Sequence, residues 1–177
     1  MKKLHYPIHH HTQKRLLGFI DGLEGGFAIF AGIVVGLSFA TTNRTVLIAT
    51  ALIGILVNAM NAATIRYSTE HYYDELDGHE KRSKLHAYFV PSLFEFGLYI
   101  IVSLIAIIPL IVIPSLVAAI ATMIFICLSI LFVAGAIRGA TLGRHTVSDG
   151  IELMVGGSIM IVSGALAGWA LTHLFVN

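Results

Sequence analysis

Several runs of this chain are long enough and apolar enough to cross a lipid bilayer. A spanning helix needs about 18 or more consecutive residues of mostly apolar character, and the segments 15–40, 45–65, 90–109, 115–137 and 147–175 supply five candidates. The composition agrees, with 56% hydrophobic residues and only 12% charged ones among 177, far outside the balance of soluble domains. The expected fold is one all-α integral membrane domain of five transmembrane helices over residues 1–177. Residues 66–87 are expected to form a short cytoplasmic helical linker between spans two and three.

The first span, RLLGFIDGLEGGFAIFAGIVVG from Arg15 to Gly36, carries two acids, Asp21 and Glu24. An acid at the centre of a spanning helix costs at least ~2.5–3.5 kcal/mol on insertion scales, so it must face protein, water or a bound cation. Glycines surround both. Gly18, Gly22 and Gly26 repeat every four residues, and so do Gly32 and Gly36. In lipid such spacing lets a second helix approach closely. Asp21, Gly25, Ala28 and Gly32 share one helical face, which reads as a tight helix contact with a carboxylate buried in it. The other reading of Asp21 and Glu24 is as headgroup-level charges favoured by the helix dipole.

The residues before this span form a basic, histidine-bearing leader with no cleavable signal peptide, because the polar start is too long. His9, His10 and His11 carry no functional argument. The second span contains Asn58, Met60 and Asn61, whose two amides want partners in lipid. Beyond it, Glu70 and Asp74 stand at i, i+4, as do His71 and Glu75, so each pair shares a helix face. Carboxylate and imidazole at that spacing either bind a divalent cation or belong to a solvated face of mixed charge, for which the following HEKRSK supplies bases. Glu95 lies about one turn inside the third span, as a pathway acid or an interfacial one. The third span is expected to end near Pro109, followed by a tight turn through Pro114. The fourth ends in a repeat of Gly135, Gly139 and Gly143, and RGATLGRHTVSDG is expected as a polar turn. Asp149 and Glu152 open the fifth span, which carries a further glycine pair, Gly164 and Gly168, and places Trp169 and His173 at the far interface. The lone Cys127 sits in an apolar run as a small core residue.

Ten of the 11 lysines and arginines fall on one side of these spans, leaving only Arg44 opposite. The positive-inside rule makes that side cytoplasmic. The amino terminus is therefore expected inside and the carboxyl terminus outside. Every acid falls on the cytoplasmic side or in the cytoplasmic half of a span. This asymmetry suits a protein that collects a cation from the cytoplasm and moves it out. Equally, short external loops simply have little room for charge. No nucleophile-and-base constellation, phosphate loop or cofactor motif is present, so an enzyme, a bound cofactor and a nucleic-acid partner are not expected.

The phrase Gly18-Phe19-Ile20-Asp21-Gly22-Leu23 resembles the G-x-x-D-G-L pattern of the vacuolar iron transporter family, which includes nodulin-like members. Met60 matches the position of the family's methionine in span two. Residues 131–157 resemble its ending, where a Gly-Ala-basic turn precedes G-x-E-M, here Gly150-Ile151-Glu152-Leu153-Met154. The resemblance covers most of residues 14–175. It implies a homodimer that exports Fe²⁺ or Mn²⁺ from the cytoplasm in exchange for protons, along a path between subunits. It assigns Asp21 as the mid-path carboxylate and Met60 as its thioether partner. A carboxylate with a thioether suits Fe²⁺ better than Mg²⁺ or Ca²⁺, which prefer oxygen alone.

The chain departs from that pattern at Lys14, where the family has an acid, and at Ala63-Thr64, where it has Gly-Glu. The large cytoplasmic metal-binding domain of many members is missing or reduced to Glu70, His71, Asp74 and Glu75. Glu24 and Glu95 have no counterpart in the family and are candidate replacement acids. The expected metal-binding set is thus Asp21, Glu24, Met60, Glu152, Glu95, Glu70 and Asp74. The expected partners are divalent metal ions, protons, the lipid bilayer and a second copy. The expected location is a prokaryotic cell membrane, or a vacuolar membrane in a eukaryote. The alternative function is a membrane metal sensor or scaffold that binds metal without translocating it, and a third is transport of protons alone or of a small organic cation.

Overall fold

The computed structural model describes residues 9–76, Gly78 and residues 85–175; positions 9–15, 21, 24, 25 and 175 are described by their backbone alone. Every regular element among them is helical: α1 (His9–Leu37), α2 (Arg44–Leu76), α3 (Val90–Val112), α4 (Leu116–Leu142) and α5 (Thr146–Phe175), with a π-helical turn, Leu85–Phe89, leading into α3. Four of them are long and apolar enough to span a membrane: α2, α3 with its π-helical lead, α4 and α5. In α1, a helix of 29 residues, the described apolar stretch is Gly26–Leu37.

The bundle is built around α1, which packs against α2, α3, α4 and α5. Phe27, Ala28, Phe30, Ala31 and Val34 are fully enclosed there. The outside of the bundle is apolar too, with Ile53, Val117, Phe125 and Leu174 exposed, the arrangement a lipid solvent requires. Lipid offers no hydrophobic drive for helices to associate, so close packing and hydrogen bonds must do it. Here glycine backbones make the contact. A methyl group placed on Gly36 would overlap the Gly164 carbonyl, and one on Gly168 would overlap the Gly36 carbonyl. Ala28 of α1 lies opposite Gly157 of α5, and Gly32 opposite Met160 and Gly164. The expected small-residue face of α1 is therefore its contact with α5, for Ala28 and Gly32. The same device joins α4 to α5, where Gly135 meets the Asp149 carbonyl. Cys127 is fully buried, its thiol 3.9 Å from the Phe27 carbonyl, in keeping with its reading as a core residue.

Local chemistry sets the helix ends. Asn43 Oδ1 accepts from the backbone N–H groups of Thr45 at 3.0 Å and Val46 at 3.3 Å, capping α2,. Ser115 caps α4 through Ala118 N–H. Gly143 adopts a left-handed conformation, φ 67°, and the Arg144 N–H turns back to the Gly139 carbonyl at 2.8 Å, a closure that favours glycine. Arg44 donates to the Pro114 carbonyl at 2.6 Å and ties the two loops of that end together.

Three boundaries differ from expectation. Helix α1 begins at His9 and closes at Leu37, so the second half of the leader continues the helix. Helix α3 runs through Pro109 to Val112, because a proline near a helix end removes one donor and the Ile113 N–H still reaches the Pro109 carbonyl,. The polar stretch RGATLGRHTVSDG is mostly helical, and only Gly143–His145 turns. Gly139 within it, like Gly135 just before it, packs against α5 and does not break the helix. Helix α2 continues well past its apolar part to Leu76, as the absence of Gly and Pro between Arg66 and Gly78 predicts.

Candidate functional site

The polar groups of α2 and α3 converge on the other glycine stripe of α1. The guanidinium of Arg66 occupies the space where a side chain at Gly18 would stand. At Gly22 a Cβ would lie 3.2 Å from Glu95 Oε1, and at Gly26 it would lie 3.0 Å from the Tyr99 hydroxyl. Asn58 Nδ2 donates to the Gly26 carbonyl at 3.1 Å. Gly18, Gly22 and Gly26 thus admit charged and polar side chains into a helix contact that larger residues would close.

Glu95 is 6% exposed. Its Oε2 lies 3.6 Å from Arg66 Nε, while Arg66 Nη2 lies 2.7 Å from Glu70 Oε1. One guanidinium is therefore shared by two carboxylates, one buried and one nearer the surface. Farther along the same face of α3, the Tyr99 and Ser103 hydroxyls are also buried. A cavity of about 250 Å³ runs beside this column, bordered by Gly22, Gly26, Asn58, Asn61, Arg66 and Glu95 among others.

A second charged cluster sits where α4 meets α5. Asp149 is 2% exposed. Its Oδ2 lies 3.7 Å from Arg138 Nε and 3.9 Å from Arg144 Nη1. Glu152, whose side chain is 60% exposed, reaches Arg138 Nη2 at 3.3 Å. A third group of contacts orders the far end of α2. The Tyr88 hydroxyl donates to Asp74 Oδ2 at 2.8 Å. His71 stacks on Tyr67, meets Tyr88 edge-on and lies 3.7 Å from Glu75 Oε1.

The expected metal-binding residues are thus distributed as follows. Asp21 and Glu24 lie on α1, and their side chains are outside the described residues. Glu95 is inside the bundle beside α1. Met60 is on the outward face of α2, 54% exposed, next to exposed Asn61. Glu70 is engaged by Arg66, Asp74 by Tyr88 and Glu152 by Arg138. Among the described residues, no three His, Cys, Asp or Glu side chains converge into a metal-holding group. The structure adds Arg66, Tyr99, Arg138 and Asp149 to the residues of interest. Arg66 stands four residues before Glu70, a spacing visible in the sequence. The partnership with Glu95 has no local signal. Comparison of the chain with family models, with curated proteins and with solved structures found no match.

Proposed function

We propose that this chain is a secondary transporter that exports a divalent transition metal, Fe²⁺ and/or Mn²⁺, from the cytoplasm by proton antiport. It would work as a homodimer with five spans per subunit and a cytoplasmic amino terminus, as in the vacuolar iron transporter family that its motifs resemble. The observation that carries this reading is the outward exposure of Met60 and Asn61 partway along an apolar spanning helix. Lipid gives the Asn61 amide nothing to bond to, so that face needs protein or water against it. A second copy related by a two-fold axis covers it with the same surface. The pairing of Gly22 with Ala62 between α1 and α2 brings the backbones of Asp21 and Met60 to similar heights. Carboxylates and thioethers from both subunits would then line one path, a donor set that suits Fe²⁺. A carboxylate in that path can exchange a metal ion for a proton. Glu24, Glu95 and Glu152 are further acids on the cytoplasmic approach.

Met60→Ala is expected to reduce metal flux into proteoliposomes at least ten-fold with an unchanged elution profile. Asn61→Cys is expected to give a cross-linked dimer in membranes. Full flux through the first variant, together with no cross-link in the second, contradicts the reading.

A further inference from the structure

The cavity beside the polar column follows α2 from Thr69 to Asn58. At 1.5 Å per residue that is about 16 Å, roughly half the thickness of a ~30 Å hydrocarbon core. Helix α1 contributes Gly18, Gly22 and Gly26, which leave the space, and α3 contributes Glu95. Thr69 is exposed and lies where α2 has passed into the polar segment that carries Glu70 and Asp74. Asn58 marks the deep end, beside Gly26. One turn farther, Phe30 stands against Gly54 and the core closes. The cavity therefore leads from the polar end of α2 into the span and stops there.

Five of its ten lining residues, Asn58, Asn61, Arg66, Thr69 and Glu95, are polar or charged. Apolar cavities stay dry, whereas a polar one holds water where each molecule finds two to four partners. At roughly 30 Å³ per water, about 250 Å³ has room for several. Asn58 gives one amide hydrogen to the Gly26 carbonyl at 3.1 Å. An amide has a second hydrogen and an acceptor oxygen to satisfy, and hydrocarbon satisfies neither. A lipid tail in this space would leave those groups without partners. Water supplies them and leaves the ion pairs of Arg66 in place.

We infer that this cavity is a water-filled crevice inside one subunit, open at Thr69, which admits small hydrophilic solutes as deep as Asn58. The inference goes beyond metal export, and its test contains no metal, so either can fail without the other. The test uses cysteine variants of the full chain in membrane vesicles of both orientations. The probe is 2-(trimethylammonium)ethyl methanethiosulfonate, which does not cross the membrane. It reacts with a thiolate, a species that apolar surroundings suppress. The native Cys127 is fully buried, so the unmodified chain gives the background. Asn58→Cys and Ala62→Cys are expected to react at least ten-fold faster than Phe125→Cys, whose native side chain is 71% exposed on the outside of α4. Both are expected to react from the same membrane face as Thr69→Cys. Ala62 borders the cavity and is replaced by a residue of similar size, so that variant folds even where loss of the Asn58 amide disturbs the bundle. Reaction of Ala62→Cys no faster than that of Phe125→Cys overturns the inference, as does reaction from the face opposite to Thr69→Cys.

Discussion

Arg66 Nε lies 3.6 Å from Glu95 Oε2 in the interior of the bundle, where both side chains are largely withdrawn from solvent. Removing one member of a buried pair costs up to about 3–5 kcal/mol, and less where the survivor keeps another partner, as Arg66 keeps Glu70. Arg66→Met and Glu95→Gln are each expected to lower the unfolding temperature in detergent markedly. The double variant is expected to lose less than the sum of the two. A thermal double-mutant cycle measures this, with an expected coupling of ~0.5–3 kcal/mol. Additive losses would show that the two side chains do not stabilise one another.

The backbones of Gly36 and Gly168 approach so closely that neither position has room for a Cβ. Overfilling a packed contact costs ~1–3 kcal/mol, and more where backbone must move. Gly168→Val is expected to abolish a monodisperse elution profile or to lower the unfolding temperature sharply. Gly156, on the same helix, has nothing within 4 Å of its would-be Cβ, so Gly156→Ala is expected to be silent. Equal behaviour of the two variants would contradict the α1–α5 packing.

Asp149 and Glu152 lie one turn apart on α5 and share Arg138, yet their environments differ. Asp149 is enclosed, and Glu152 is mostly exposed. Asp149→Asn is expected to cost about 3 kcal/mol, in line with breaking a buried ion pair. Glu152→Gln is expected to cost within ~0–1 kcal/mol, as for an exposed one. Chemical or thermal unfolding of the two variants side by side checks the order.

The hydrogen bond from Tyr88 to Asp74 connects the end of α2 to the π-helical turn that leads into α3. Tyr88→Phe removes about 1 kcal/mol of hydrogen bonding. Amide exchange in residues 66–76 is expected to rise several-fold, while exchange in α4 stays unchanged. Exchange rising equally in both would mean that the contact supports the whole bundle.

The four-residue glycine repeats made much of this packing legible in advance. Gly32, Gly36, Gly164 and Gly168 have that spacing, and in the fold they meet across one helix contact. The spacing could not say which stripe faced which helix. Gly18, Gly22 and Gly26 have the same periodicity, yet they make room for Arg66, Glu95 and Tyr99 and do not admit another glycine helix. Arg66 read as one of several bases that orient the chain, because a base beside a polar segment looks like surface. Its burial follows from Glu95, a residue of another helix, and no local spacing reports that. The expected turn at RGATLGRHTVSDG failed for a related reason. Glycine breaks a helix in water but serves as a packing surface in a membrane, so only Gly143 ends α4. The mixed charges of Glu70, Asp74 and their neighbours are occupied by Arg66 and Tyr88, as the spacing allowed.

Uptake into proteoliposomes tests the central claim most directly. A trapped metal-sensitive dye reads Fe²⁺ and Mn²⁺ entry, and a lumenal dye reads pH. The account predicts metal entry with opposing proton movement, both lost in Asp21→Ala while that variant remains a folded dimer. A dimer that binds metal and passes none would contradict it and favour the sensor. Undiminished flux through Asp21→Ala would remove Asp21 from the path.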